Sequence, residues 1–371
     1  MKVIILILLL LSINIQAKYL DSKTCQECHE DIHYEHMKSM HSKSSIFSDE
    51  VHDKVKNAVN KNKYGCALCH MPSTKNLSAM IRGMEQPDSN KVRQTDGVSC
   101  MYCHQIRKLH YGKIYNINFV NSNDGPKPTM YGYLKNAEDS DEHYVQTNDM
   151  YENSEVCMGC HSHKQNSKSF EVCNTKDEFD KTSDCIGCHM PKAAGGNEKF
   201  NKKGRDEYAT HNFLGVHSAE MIKKAVKLEL SYDKETIELV ITNKMGHAII
   251  THPMRLKFAK TVVKRGPKVI WSNFDKSPVE DKEATFIIVF KDTLDQPSMP
   301  HHAIGYKLNR NLKANQSKTI HYKVDGLQKG DEITTTWISY IVNPKIAKKL
   351  KLGDMSVAKA MKGIEKSIVV R

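Results

Sequence analysis

Two textures of apolar and polar positions divide this chain. From about residue 224, Val226, Leu228 and Leu230 alternate with Lys227, Glu229 and Ser231, and Ile237, Leu239 and Ile241 repeat the pattern after a turn at Asp233-Lys234. Period-two alternation marks a half-buried strand. Five further runs follow, at 256–263, 269–271, 285–290, 319–324 and 333–342, separated by turn residues such as Arg265-Gly266-Pro267 and Asp325-Gly326. Seven short strands of this kind predict an antiparallel β-sandwich over 224–345. Residues 346–371 read as a basic helical tail. Upstream, residues 18–223 show no sustained strand pattern and predict a mainly α-helical and irregular domain. Helix is expected over 31–41 and from a cap near Ser218, with loops at 121–129 and 193–197. The fold class expected is α+β.

The first residues stand apart. Met1-Lys2 precedes an apolar run over 3–13, and Gln16-Ala17 precedes Lys18. This predicts a secretory signal over 1–17. The run is too short to span a bilayer comfortably, and no later stretch is long enough for a transmembrane helix. The mature chain is expected to be exported, to the periplasm or beyond.

Hydrophobic residues make up 39% of the 371 residues and aromatics only 7%. That is thin for a chain of this length, so apolar surface from elsewhere is needed to complete a core. The formal charge of +12 invites a nucleic-acid reading, but no helix–turn–helix, RNA-binding or zinc-finger pattern accompanies it.

The missing surface is suggested by a repeated motif. Cys-x-x-Cys-His occurs five times: Cys25, Cys28 and His29; Cys66, Cys69 and His70; Cys100, Cys103 and His104; Cys157, Cys160 and His161; Cys185, Cys188 and His189. This is the attachment signature of c-type haem. The two thiols add to the haem vinyl groups, and the histidine ligates the iron from one face. A zinc ribbon needs two Cys-x-x-Cys pairs per metal, which leaves one of five unexplained. Thioredoxin chemistry needs one pair, and a disulfide scaffold belongs to shorter chains. None accounts for a histidine after every pair. The cofactor expected is therefore five covalent haems c, whose propionates answer much of the lysine excess. Of the eleven cysteines, only Cys173 lies outside the motifs and reads as an unpaired, partly buried thiol.

The other histidines decide what the irons can do. An iron with two histidines suits electron transfer; an open position can bind and transform a ligand. Nine candidates precede residue 220: His33, His36, His41, His52, His110, His143, His163, His211 and His217. His163 is too close to His161 to reach the far face of the same haem. A helix from His29 to His41 would span about 18 Å, so His41 is expected to serve another haem.

At this point the chain resembles the multihaem cytochrome c-554 family. The resemblance is carried by CQECHEDIHYEHMKSMHSKS with Ser39-Met40-His41, GVSCMYCHQI at 97–106, EVCNTKDEF at 171–179, CIGCHMP at 185–191 and HNFLGVHS at 211–218. NKMGHAIITHP at 243–253 is similar to a Gly-His-x-x-Pro-Thr-Gly loop of longer relatives, with Ile250 where Pro is usual. The resemblance implies periplasmic electron transfer, with His41, His110, His211 and His217 as distal ligands. It leaves the fifth ligand open, with His247 of the β half as a candidate. It also implies that the haem at Cys66, Cys69 and His70 is the one without a firm sixth ligand.

Three functions compete. The first is a carrier between a membrane quinol-linked donor and a periplasmic redox partner. The second is a reductase of a nitrogen or sulfur oxyanion at one open haem. Pentahaem nitrite reductases carry a Cys-x-x-Cys-Lys motif, absent here, and hydroxylamine-oxidising relatives carry eight haems. The third is a filament subunit conducting along stacked haems. Neither a nucleic acid nor a membrane span is expected. Intact mass of the secreted protein should exceed the chain from Lys18 by five haems; a fully matured protein with four or fewer would contradict the motif reading.

Overall fold

A computed structural model of the protein describes residues 19–121, 125–178, 180, 184–195 and 204–371. The expected signal segment and parts of the loops at 121–129 and 193–197 lie outside the described residues.

The strand pattern of the second half is realised as two antiparallel sheets that share one core. The smaller has three strands in the order Ser317–Lys323, Thr236–Asn243, Val226–Asp233. Leu239 is the register partner of both Leu230 and Ile320, so the alternating apolar residues fall on one face. The larger sheet has seven strands, built around Leu256–Arg265 paired with Glu332–Tyr340. Its inward residues Ala259, Val263, Phe286, Ile288, Ile333 and Trp337 meet Leu228, Ile237, Leu239 and Ile241 of the smaller sheet.

All seven expected strands are present, joined by Pro297–Ser298, Gly305–Arg310 and Met361–Val369. The last corrects the helical tail. Helix is confined to Pro344–Lys349 and a 3-10 turn at Ser356–Ala358, after which the chain returns as a strand alongside Glu332–Tyr340. Gly363 on this strand makes the approach possible: a Cβ there would lie 2.8 Å from Trp337 Cδ1 and 3.1 Å from Ile222 Cγ2. Ile222 belongs to the helix Ala219–Lys224, capped by Ser218 as expected, and is buried in the sandwich core.

The first half is built from short helices and small ribbons. Helix Glu30–Lys38 ends before His41, because Ser39 is extended. The two-stranded ribbons add strand where the sequence predicted none: Ile106–His110 with Ile117–Val120, Thr129–Gly132 with Tyr144–Thr147, His163–Gln165 with Glu171–Asn174, and Lys192–Ala194 with Glu207–Ala209. Each is too short to show alternation.

The halves are fastened at several points. Phe170 packs edge-on against Phe290 and Tyr306, and Asn166 Nδ2 donates to the carbonyls of Pro300 and Ala303. Val51 and Val55 pack against the apolar group of Ile341, Val342 and Leu350.

Trp337 is fully buried at the centre of the sandwich. Trp337→Ala should lower the unfolding free energy of the sandwich by about 3–5 kcal/mol, measured by urea denaturation of a 218–371 fragment. A loss below about 1 kcal/mol would mean that the core does not close around this side chain.

Candidate haem-binding site

Each motif makes a turn of helix that solves a local geometric problem. Residues three and four apart share a helix face, so the two cysteines and the histidine of Cys-x-x-Cys-His point the same way. The turns are closed by bonds from the histidine N–H to the first cysteine carbonyl: His29 to Cys25 at 2.9 Å, His70 to Cys66 at 3.1 Å and His161 to Cys157 at 2.9 Å. The other two motifs form the helices Cys100–His104 and Cys185–His189. Short polar side chains cap three of the turns. Asp21 accepts from Thr24 N at 2.8 Å, Ser99 from Tyr102 N at 3.1 Å, and Asp184 from Ile186 N and Gly187 N at 2.9 and 2.8 Å, which satisfies N–H groups orphaned at a helix start.

All fifteen motif residues line one continuous cavity of about 3100 Å³, far larger than a single small-molecule pocket. The motifs are close-set around it. Cys25 neighbours Cys100, Cys69 neighbours Cys160, and Cys157 neighbours Cys185. The first motif therefore adjoins the third, the second adjoins the fourth, and the fourth adjoins the fifth.

The histidines test whether haem fits. Two imidazoles on opposite faces of one iron, with metal–nitrogen bonds of about 2 Å, have ring centres about 6 Å apart. Three pairs meet this spacing. His29 faces His143 at 6.3 Å, His104 faces His211 at 6.2 Å, and His161 faces His41 at 6.0 Å. A ligating histidine also tends to donate its other ring N–H to a carbonyl, which fixes the tautomer. His104 Nδ1 donates to Tyr131 O at 2.7 Å, His189 Nδ1 to Leu214 O at 2.5 Å, His211 Nδ1 to Ala209 O at 2.9 Å and His247 Nδ1 to Ala248 O at 2.8 Å. Each is left with a lone pair on Nε2. His36 and His163 are the reverse. Their Nε2 atoms donate to Val98 O at 3.0 Å and Gly112 O at 2.8 Å, which occupies the nitrogen that would reach an iron. The residues present fit haem c.

His41 is positioned by the segment before the third motif. Val98 N donates to His41 O at 3.0 Å. Gly97 lies at φ +62°, and a Cβ on it would come within 2.6 Å of the His41 carbonyl. Phe213 lies against the His41 ring at 4.2 Å, and His211 is anchored by its N–H to Glu35 Oε2 at 2.7 Å. Burial, with His161 as the next cause, lowers the His41 pKa to about 3, and burial followed by His104 lowers that of His211 to about 3. Both rings are thus held neutral, the form that ligates a metal.

Two of the expected distal ligands are not set opposite a proximal histidine, although His217 lines the cavity. His110 is exposed on the ribbon Ile106–His110, where its ring meets Phe119 edge-on at 6.3 Å. The ring facing His29 is instead His143, one of the nine candidates. His217 is exposed, and its charged neighbours are Arg255, Asp49 and Lys43 rather than a proximal histidine. His247 sits where the charges of His189 and His161 reach it. His70 has a different neighbour. His52 lies edge-on to it at 3.8 Å, too close for an iron between the rings. Cys173 is half-buried, and burial raises its thiol to about 11.

A cavity shared by five Cys-x-x-Cys-His turns, with histidine rings facing one another across it, is the arrangement that a multihaem c-type cytochrome calls for. Residues 24–105 match the family described as cytochrome c554 and c-prime. The fold is similar to that of a penta-heme cytochrome c552 from Thermochromatium tepidum, with a TM-score of 0.78 at 21% identity, covering 95% of this chain and 99% of that one. The family match covers the first three motifs, and the likeness to the penta-heme protein is one of fold over nearly the whole chain. A superoxide reductase in the oxidised state covers 40% of this chain and 89% of its own, at 8% identity and a TM-score of 0.19. A superoxide reductase from Nanoarchaeum equitans covers 40% and 94%, at 10% identity and a TM-score of 0.17. No curated protein matches the chain.

His41→Ala should convert one haem, that of His161, from low to high spin while the intact mass stays unchanged. Electron paramagnetic resonance of the oxidised protein reads this directly, and fully low-spin spectra would refute the pairing.

Proposed function

We propose that this protein is a periplasmic electron carrier holding five covalent haems c. It would pass electrons between a quinol-linked membrane donor and a second periplasmic redox protein. The observation that carries this reading is the set of three histidine pairs at 6.0 to 6.3 Å across one cavity. When bound, haems ligated in this way supply one-electron chemistry and have no free position for a substrate. The chain's contribution is placement. The motifs succeed one another through Cys25–Cys100 and Cys157–Cys185, with Cys103 a neighbour of Cys157 and Cys160. The order of neighbours is thus first, third, fourth, fifth. The second motif branches from the fourth through Cys69 and Cys160.

We assign His189 and His247 as a fourth ligand pair, because each has Nδ1 on a carbonyl and the two are electrostatic neighbours. Export follows the reading of residues 1–17 as a signal. Among the described residues no helix is long and apolar enough to cross a membrane.

A reductase reading is favoured by one observation, at His70. Its close ring neighbour, His52, packs edge-on at 3.8 Å, and Tyr64 lies 5.5 Å from His52. This haem is the candidate for an open sixth position. An open iron alone does not give turnover, which also needs groups placed to move protons and stabilise developing charge.

The two readings separate experimentally. With reduced protein, carbon monoxide or nitric oxide should perturb one haem at most, that of His70, and nitrite, hydroxylamine and sulfite should turn over slowly or not at all. Rapid turnover of any of these would replace the carrier reading by the enzyme reading.

A further inference from the structure

The inner row of the strand Leu256–Arg265 runs Lys257, Ala259, Thr261, Val263. Ala259, Thr261 and Val263 are fully buried in the sandwich, as the alternation demands. Lys257 stands at the end of the row, still buried at 9% exposure, where an apolar residue is expected. Arg255 lies just before it. Both line the large cavity, at the seam between the two halves.

Each cation has some of its hydrogen-bonding capacity met by backbone. Lys257 Nζ donates to Ile249 O at 2.9 Å, and Arg255 Nη1 donates to Ile341 O at 2.7 Å. An ammonium has three donors and a guanidinium five, so most remain. No ion pair joins either side chain to a carboxylate of the described residues; Asp49 acts on Arg255 only as a nearby charge. The other charged neighbours add to the problem. Arg255 and Lys257 repel each other, and His217, His247 and His252 border them. A buried ammonium beside a half-buried guanidinium, with no carboxylate of the described residues in contact with either, is strongly unfavourable. The site as built calls for an anion.

We infer that Arg255 and Lys257 are the counter-charges of haem propionates at the seam, belonging to the haems of His70 and His189. This rests on the haem-binding reading of the cavity. The location favours propionates over a free anion. His247 beside Lys257 neighbours His189, and His252 beside Arg255 neighbours His70. An attached haem brings two carboxylates into this space, and a guanidinium matches a carboxylate with two parallel hydrogen bonds. The β half thereby completes the haem site with two side chains that no attachment motif contains.

The test uses the haem-loaded full-length protein and its variants Lys257→Met and Arg255→Met, with Lys257→Arg and Arg255→Lys as charge-conserving controls. Intact mass first verifies the haem complement. Spectroelectrochemical titration should then show the midpoint potential of one haem falling in each Met variant, because loss of a nearby cation favours the ferric state. The potential should return towards wild type in the controls. Thermal unfolding should move to lower temperature in the Met variants, since a buried propionate loses its partner. Full haem complement with unchanged potentials would overturn the clamp and leave the carrier reading standing. So would a higher unfolding temperature in the Met variants, which would identify Lys257 and Arg255 as uncompensated cations. A wild-type shift of potential on adding nitrite or sulfite, lost in the Met variants, would assign the pair to a free anion instead.

Discussion

An iron held between two imidazoles would act as a cross-link, and the first half of this protein is arranged to receive such links. Its described residues contain only small apolar clusters, such as Tyr64, Ala67, Met71 and Met80, or Ile106, Leu109, Tyr131, Met150 and Tyr151. None is comparable with the sandwich core. The histidine pairs join segments far apart in sequence: His29 to His143, His41 to His161, His104 to His211. Binding free energy of this kind is folding free energy wherever a preformed site is absent from the unfolded chain. The polar texture of residues 18–223 and the low aromatic content become intelligible on this basis, because the macrocycles supply the apolar surface.

The two halves therefore solve the same problem by different means. The sandwich buries its own side chains, with Trp337, Phe286 and Ile333 at its centre. The cytochrome half surrounds a cofactor and borrows from its neighbour. The loop after Thr236–Asn243 is held rigidly enough to be lent. Buried Asn243 donates to the carbonyls of His247, Leu312 and Lys313 and accepts from Met245 N. Asn311 exchanges hydrogen bonds with Ile250 on both backbone groups. These side chains fix the segment that carries His247 and His252 toward the cavity.

What was legible in the sequence follows the range of the interactions. The Cys-x-x-Cys-His turns are local, so five residues suffice to read each. The central strands are legible because one face is buried and the other is not, as at 226–233 and 236–243. The strand Met361–Val369 was hidden because it is a mostly exposed edge rich in charge, the manner in which sheets protect their edges. Distal ligands are the hardest to read. His143 reaches His29 through the pairing of Thr129–Gly132 with Tyr144–Thr147, which no local pattern announces. His110 lies closer to a motif in sequence yet faces solvent. The helix that the sequence suggested from His29 to His41 stops at Lys38, and the His41 ring lies opposite His161.

The difference in range between the two kinds of bond also orders the birth of the molecule. Each attachment turn is complete within a few residues, closed by one main-chain hydrogen bond and, in three cases, a side-chain cap. An otherwise unfolded chain can already form such a turn. The ring facing each iron arrives only when distant segments have met. Covalent loading can thus precede compaction, and a chain denied its cofactor would keep a folded C-terminal half tethered to a loose, histidine-rich arm.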